Sequence, residues 1–279
     1  MSANGTRAGE AATVVVARRR SSGSVRWLLP GALVVAAVLA RLLRAADPHR
    51  LELSADLARP SASHPFGCGE GGVDLLAVAA EGLLRGLALA STIALISLAL
   101  GTALGAAAGL AGGRWARGLR RLCDAVQAFP SFVLALGVLA AVPSPTRLHV
   151  GAVLAATAWS PFARLALAEL RIVRGLAYVD AARALGASSG RVLWRHAVPA
   201  AMPTARAQLG SSAAALLVSD AALAFLGVGP ADGVSLGALI DQGLGAIVRA
   251  PHVLFVGAAT LAAGSLALQS LADPGRRED

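Results

Sequence analysis

Apolar runs long enough to cross a bilayer alternate with short arginine-bearing stretches along nearly the whole chain. The runs are Trp27 to Ala46 (interrupted at Arg41 and Arg44), Leu87 to Ala111, Leu122 to Ala141, the stretch from Leu148 through Trp159-Ser160-Pro161, Ala207 to Gly227, and His252 to Leu271. A helix needs about 20 residues to span the hydrocarbon core, so the pattern predicts six transmembrane helices. Strict two-residue alternation is rare, which points to helices rather than a barrel. The segments between the runs complete the expected layout. Residues 1–26 form a polar, arginine-bearing tail expected to be disordered. Residues 27–46 form a first span with no clean small-residue cleavage site, its outer arginines reaching for the interface. Residues 47–81 are external and broken by Pro48, Pro60 and Pro65. Residues 82–273 hold the remaining spans with a cytoplasmic loop at 171–206, and 274–279 form a short inner tail. Pro230 to Ala250, rich in glycine, is expected as an outer loop or re-entrant segment.

Composition strengthens the membrane reading. The 279 residues are 56% hydrophobic and only 15% charged, too apolar for an ordinary soluble domain. Net charge is +9, and all 25 basic residues are arginine, because the chain contains no lysine. A P-loop lysine or a lysine base is thereby excluded, so any ATP that drives this protein has to be bound by another chain. Most of the arginines fall on segments that the layout places inside, as cytoplasmic loops require, with both termini cytoplasmic. Arg41, Arg44, Arg50, Arg59, Arg85, Arg147 and Arg249 fall outside or at the outer edge. The two cysteines, Cys68 and Cys123, are placed on opposite sides and are expected unpaired. The five histidines show no metal-ligand spacing.

The longest polar, arginine-bearing segment between apolar runs is Tyr178 to Pro199. It reads as two short helices with a sharp joint. Gly186 closes the first in the left-handed conformation, Ser188 caps the second, and Pro199 ends it. In a soluble protein this pattern would fit a DNA-reading helix-turn-helix. Tethered between membrane spans, it fits another protein better, and no nucleic-acid partner is expected.

Three further features lie within the spans. Gly101, Gly105 and Gly109 recur every fourth residue and make a smooth helix face for close approach of a neighbour. Pro130, after Phe129, should loosen the third span near one end. Asp220 is a lone carboxylate inside the fifth span, where it is costly unless it faces protein or water. It is either a pathway or gate residue or a structural hydrogen-bonding group.

Asp180-Ala181-Ala182, Gly186 and Pro199 resemble the cytoplasmic E-A-A…G…P loop of binding-protein-dependent ABC importer permeases. The longer reading Ala181 to Ser188, followed by Arg195-His196-Ala197-Val198-Pro199, is similar to the dipeptide/oligopeptide/nickel branch. Asp180 stands where that family usually has Glu, keeping the charge with a shorter reach. His64-Pro65-Phe66-Gly67 through Leu76 resembles the branch's external H-P-F-G-T-D-x-x-G-R-D-L-L segment in part: Cys68, Gly69 and Val73 replace its Thr, Asp and Arg. Asp124…Ala128-Phe129-Pro130 and Asp220 to Gly229 resemble two further pieces, and together the resemblance spans about residues 27 to 273.

The resemblance implies an all-α polytopic membrane protein of the type I ABC importer permease fold in the bacterial inner membrane. The chain itself would be no enzyme and would bind no cofactor, with ATP and Mg held by a partner. Its partners would be a second homologous permease, one or two ABC ATPase subunits and an extracytoplasmic solute-binding protein. The loop at Asp180, Ala181, Ala182, Gly186 and Pro199 would couple the spans to the ATPase, with Asp220, Phe129 and Pro130 as candidate pathway or gate residues. Di- or oligopeptides are the leading substrate, and nickel or another small solute is the alternative. A proton-coupled secondary transporter using Asp220 or Asp124 is a further alternative that would work without an ATPase. An intramembrane enzyme has no support, since no span offers a nucleophile–base or metal constellation.

Overall fold

The computed structural model describes residues 31–40, 50–174, 184–192, 198–230 and 234–272, together with Leu176, Ala177, Val179 and Arg195. The described residues are helical and form no strand beyond a single bridge between Cys68 and Asp74. The helices are α1 (Gly31–Ala40), α2 (Leu75–Ala111), α3 (Gly113–Ala128), α4 (Ser131–Ala140), α5 (Arg147–Arg174), α6 (Ser189–Val192), α7 (Val198–Phe225), α8 (Leu236–Gly245) and α9 (Pro251–Ala272).

Four of these, α2, α5, α7 and α9, are long and apolar enough to cross a membrane, and a fifth span forms if the bent pair α3 and α4 is taken as one. The predicted first span at 27–46 lies largely outside the described residues, which contain only its centre, the ten-residue α1.

Boundaries differ from expectation in instructive ways. Helix α2 starts at Leu75, within the stretch expected to be external, rather than near Leu87. Asp74 caps it, its side chain accepting from the Leu76 N–H at 2.9 Å. At about 1.5 Å per residue this 37-residue helix is far longer than a hydrocarbon core of about 30 Å, so one end stands clear of the bilayer. The third span is not loosened near one end but broken between two helices. Phe129 is extended (φ −90°, ψ 130°), as a residue before proline tends to be, and α3 and α4 meet at 67°. Pro199 lies within α7 (Val198–Phe225), and the end of the second short helix of the central loop falls outside the described residues.

The glycine stripe of α2 packs on α5. A Cβ on Gly101 would lie 2.3 Å from the Trp159 carbonyl oxygen, and one on Gly105 would lie 2.4 Å from that of Ala163. Only hydrogen in place of a side chain lets the two backbones come this close. Around this pair, Ile93 and Ala94 of α2, Leu139 of α4, Leu154 of α5 and Leu217 and Leu223 of α7 form the main buried cluster. The expected outer segment after Pro230 contains α8, capped by Ser235 through the Ala238 N–H at 3.1 Å. It packs beside the start of α2 and of α9, with Leu75, Ala79, Leu239 and Val253 buried together.

The segment expected to be external folds back on the start of α2. The Cys68 N–H donates to the Ala58 carbonyl at 2.9 Å, and the Gly71 N–H donates to the Asp56 carboxylate at 2.8 Å. His64 Nδ1 lies 3.5 Å from Asp74 Oδ2. Burial, with the nearby Asp74 and Glu52 carboxylates, pushes the Cys68 thiol above its ordinary range. Cys68 and Cys123 are both free.

Candidate functional site: a polar cavity and the loop anchored to its wall

A proline break and a proline inside a continuous helix line one cavity of about 400 Å³ between α3, α4, α5 and α7. One is the α3–α4 joint at Phe129-Pro130. The other is Pro161 inside α5, which has no N–H to give the Thr157 carbonyl one turn back. Phe129, Pro130, Thr157 and Pro161 all line the cavity, so two of the sequence-predicted pathway residues are found there. A second, more open groove of about 700 Å³ runs along α4 from the same two residues to Val142 and is otherwise apolar.

The polar part of the wall was missed as a set in the sequence. Gln127, Ser131, Thr157, Ser160, Ser212 and Ser219 contribute hydroxyl and amide groups, and no ionisable side chain is among the lining residues. Gln127 is the hub. Its Nε2 donates to Ser160 Oγ at 3.0 Å, and its Oε1 accepts from Arg164 Nη1 at 3.0 Å. Arg164 in turn lies 3.6 Å from Asp124 Oδ1. Ser160 is fully buried with Gln127 in place, and Gln127 is the side chain that satisfies its hydroxyl. The chain Asp124–Arg164–Gln127–Ser160 thus fastens α3 to α5 beside the α3–α4 joint and Pro161. The available signal was weak: a polar residue one or three positions before a proline in an otherwise apolar run.

Asp220 is placed differently. It is buried on α7, and its carboxylate lies on the side of Gly86, where a Cβ would come within 3.9 Å of Oδ2. Its neighbour Ser219 lines the cavity, and Asp220 does not.

The central loop is described in part. Asp180, Ala181 and Ala182 lie outside the described residues. Gly186 has φ +85°, the left-handed conformation expected of it, and a Cβ there would meet nothing within 4 Å. Conformation, not space, is what favours glycine at this joint. Ser188 caps α6, accepting from the Arg191 N–H at 3.3 Å.

Beside the joint, Leu185 is 89% exposed, an apolar side chain at the apex of the loop. At the base the loop is fixed. Val179 and Val192 are buried in one cluster with Ala106 of α2 and with Leu170 and Val173 of α5. Thr204 of α7 also donates to Glu169 of α5 at 3.2 Å. The loop base is therefore carried by the same helix, α5, that holds Ser160, Pro161 and Arg164.

Comparison with known proteins agrees with this architecture. Residues 101–273 match the family described as binding-protein-dependent transport system inner membrane component. A Brucella suis biovar 1 protein that carries the name of a peptide transport system permease is 31% identical over 275 residues, covering 95% of this chain and 90% of its own. The glutathione transport system permease protein GsiD of Escherichia coli O6:K15:H31 is 31% identical over 258 residues, covering 92% and 85%. GsiD of Shigella dysenteriae serotype 1 is 32% identical over 238 residues, covering 85% and 78%. The family model covers most of the chain and the relatives cover nearly all of it. The chain therefore belongs to the binding-protein-dependent transport system inner membrane components, as a multi-pass inner-membrane permease of the ABC importer type.

Proposed function

We propose that this permease pairs with a second, homologous permease to form the path for di- or oligopeptides, glutathione-like peptides included, across the inner membrane. An extracytoplasmic solute-binding protein delivers the substrate, and one or two ABC ATPase subunits, which hold ATP and Mg, drive its release inside. Both chain termini and the 171–206 loop face the cytoplasm, and six spans complete the fold.

The substrate reading is supported by the peptide and glutathione transport names of relatives that align with nearly the whole chain. The cavity wall is consistent with it. Hydroxyls and an amide can pair with peptide N–H and C=O groups, and a wall with no fixed charge does not select against substrates that carry both signs.

The coupling reading rests on one observation above all: the loop that presents Leu185 and Gly186 is anchored through Val179 and Val192 to α5. Closure of the ATPases on ATP would push the loop whose sequence carries Asp180, Ala181, Ala182 and Gly186, with Pro199 in α7 behind it. The displacement would pass along α5 to Pro161 and reach the Gln127–Ser160 hydrogen bond. Opening that bond would let α3 and α5 part at Phe129-Pro130, which serve as the gate. Asp220, buried on α7 and outside the cavity lining, takes a structural rather than a gate role in this scheme.

Vesicles reconstituted with the whole complex test the substrate reading. Uptake of a labelled dipeptide, blocked by excess unlabelled peptide but not by nickel ions, is the expected result. Uptake of nickel with no competition from peptides would overturn it.

A further inference from the structure

Helix α3 carries three faces that no part of the transport mechanism uses together. Arg114, Arg117, Arg120 and Arg121 are all exposed. At about 100° per residue they fall within one arc of about 120°. Ala116 and Cys123 are buried on a second face, against α2 and α5. Trp115 and Leu122 occupy the third face and are 75% and 52% exposed.

Among the described residues the arginines have no internal counter-charge. The one acid in α3, Asp124, is engaged with Arg164, and among the described residues no carboxylate pairs with any of the four. Arg117 donates only to the Gly113 carbonyl at 3.2 Å. Position narrows the partner further. A single residue, Gly112 (φ +65°), separates α3 from the apolar α2, so α3 begins where a membrane-crossing helix ends. It then departs from the apolar α4 by 67°. An exposed tryptophan beside a row of unpaired arginines, at the end of a span and turned away from the next, is the make-up of a helix lying in the bilayer interface.

We propose that the first part of α3, from Arg114 to Leu122, is an interfacial anchor that binds anionic phospholipid, while the rest of the helix continues into the bent span it forms with α4. Its arginine face takes the phosphodiester headgroups of lipids such as phosphatidylglycerol, while Trp115 and Leu122 enter the acyl boundary. Each guanidinium held at an anionic surface favours binding by about fivefold, and the attraction weakens with salt.

The test uses the full chain with its partner subunits and Trp115 as the sole tryptophan of this chain, through Trp27→Phe, Trp159→Phe and Trp194→Phe. It is reconstituted in phosphatidylcholine bilayers containing an equal minor fraction of either brominated phosphatidylglycerol or brominated phosphatidylcholine. The brominated anionic lipid should quench Trp115 several-fold more effectively. Arg117→Gln with Arg121→Gln should remove most of that preference, whereas Lys at both positions should keep it, and salt should reduce it. Lipid retained by the unsubstituted chain in mild detergent gives an independent reading: phosphatidylglycerol should be enriched over the parent membrane, and the Gln pair should abolish the enrichment. Equal quenching by the two lipids would overturn the proposal. So would Trp115 shielded from both in the assembled complex, which would mean that a protein chain covers this face.

Discussion

At the scale of single residues, Gln127 is the side chain on which the cavity wall depends. It joins Ser160 and Arg164 at 3.0 Å each, linking α3, which ends at the Pro130 joint, to α5, which has Pro161 inside it. A hydrogen bond between neutral side chains contributes about 0.5–1.5 kcal/mol net, and stranding a buried partner costs more. Gln127→Leu should therefore lower thermal stability in detergent by more than Ser160→Ala. The double variant should be less destabilised than the sum of the two, with a coupling of about 0.5–1.5 kcal/mol in a double-mutant cycle. Strict additivity would mean that the two side chains do not act on each other.

Sequence reading found Phe129 and Pro130 because proline announces a break. It overlooked Gln127 and Ser160 as a pair because residues so far apart in the chain show no pairing signal until the helices are packed. Asp220 drew attention for a sound reason, the cost of a carboxylate at membrane depth. The structure buries it on the side of Gly86 rather than in the cavity wall, a difference that hydropathy alone does not reveal.

At the scale of elements, local chemistry was the more legible part. The recurrence of Gly101, Gly105 and Gly109 is enough to announce a close helix–helix contact; that the partner is α5 follows only from the fold. The start of α2 was misplaced because hydropathy rises at Leu87. The cap at Asp74, followed by an apolar helical run, marks the true beginning. The joint at Pro130 was legible as a weakness but not as a 67° break, since the angle depends on how α3 and α4 each pack.

The same chemical change at two glycines separates packing from propensity. Gly105→Ala would place its Cβ 2.4 Å from a backbone oxygen of α5, whereas Gly118→Ala on α3 would meet nothing within 4 Å. The first should destabilise the protein by about 1–3 kcal/mol through overpacking. The second should be neutral or stabilise it by up to about 1 kcal/mol, because alanine is the better helix former. Unfolding in detergent measures both. Equal effects at the two sites would contradict the close α2–α5 contact.

At the scale of the whole molecule, the proposed coupling follows one continuous set of packed elements. The exposed apex at Leu185 and Gly186 is tied by Val179 and Val192 to α5, and α5 reaches the cavity through Pro161 and Ser160. The overall class was readable from the chain alone, because alternating apolar runs and arginine loops obey the physics of the bilayer rather than the details of packing. Span number and ends were less so. A long α2, a broken α3–α4 and a short α8 each depart from the one-run, one-span rule.

Coupling is the central claim, and Gly186 tests it most directly. A β-branched residue at φ +85° is strained wherever it is placed, yet the space around Gly186 is open. Gly186→Val should therefore disturb the joint without disturbing the membrane fold. The measurement is uptake and ATP hydrolysis side by side, in vesicles holding the variant permease, its sister permease, the ATPases and the binding protein. A variant complex that assembles and hydrolyses ATP while substrate-dependent uptake falls at least about tenfold, equivalent to about 1.4 kcal/mol, is the predicted result. Uptake at the unsubstituted rate from a fully assembled Gly186→Val complex would contradict the account.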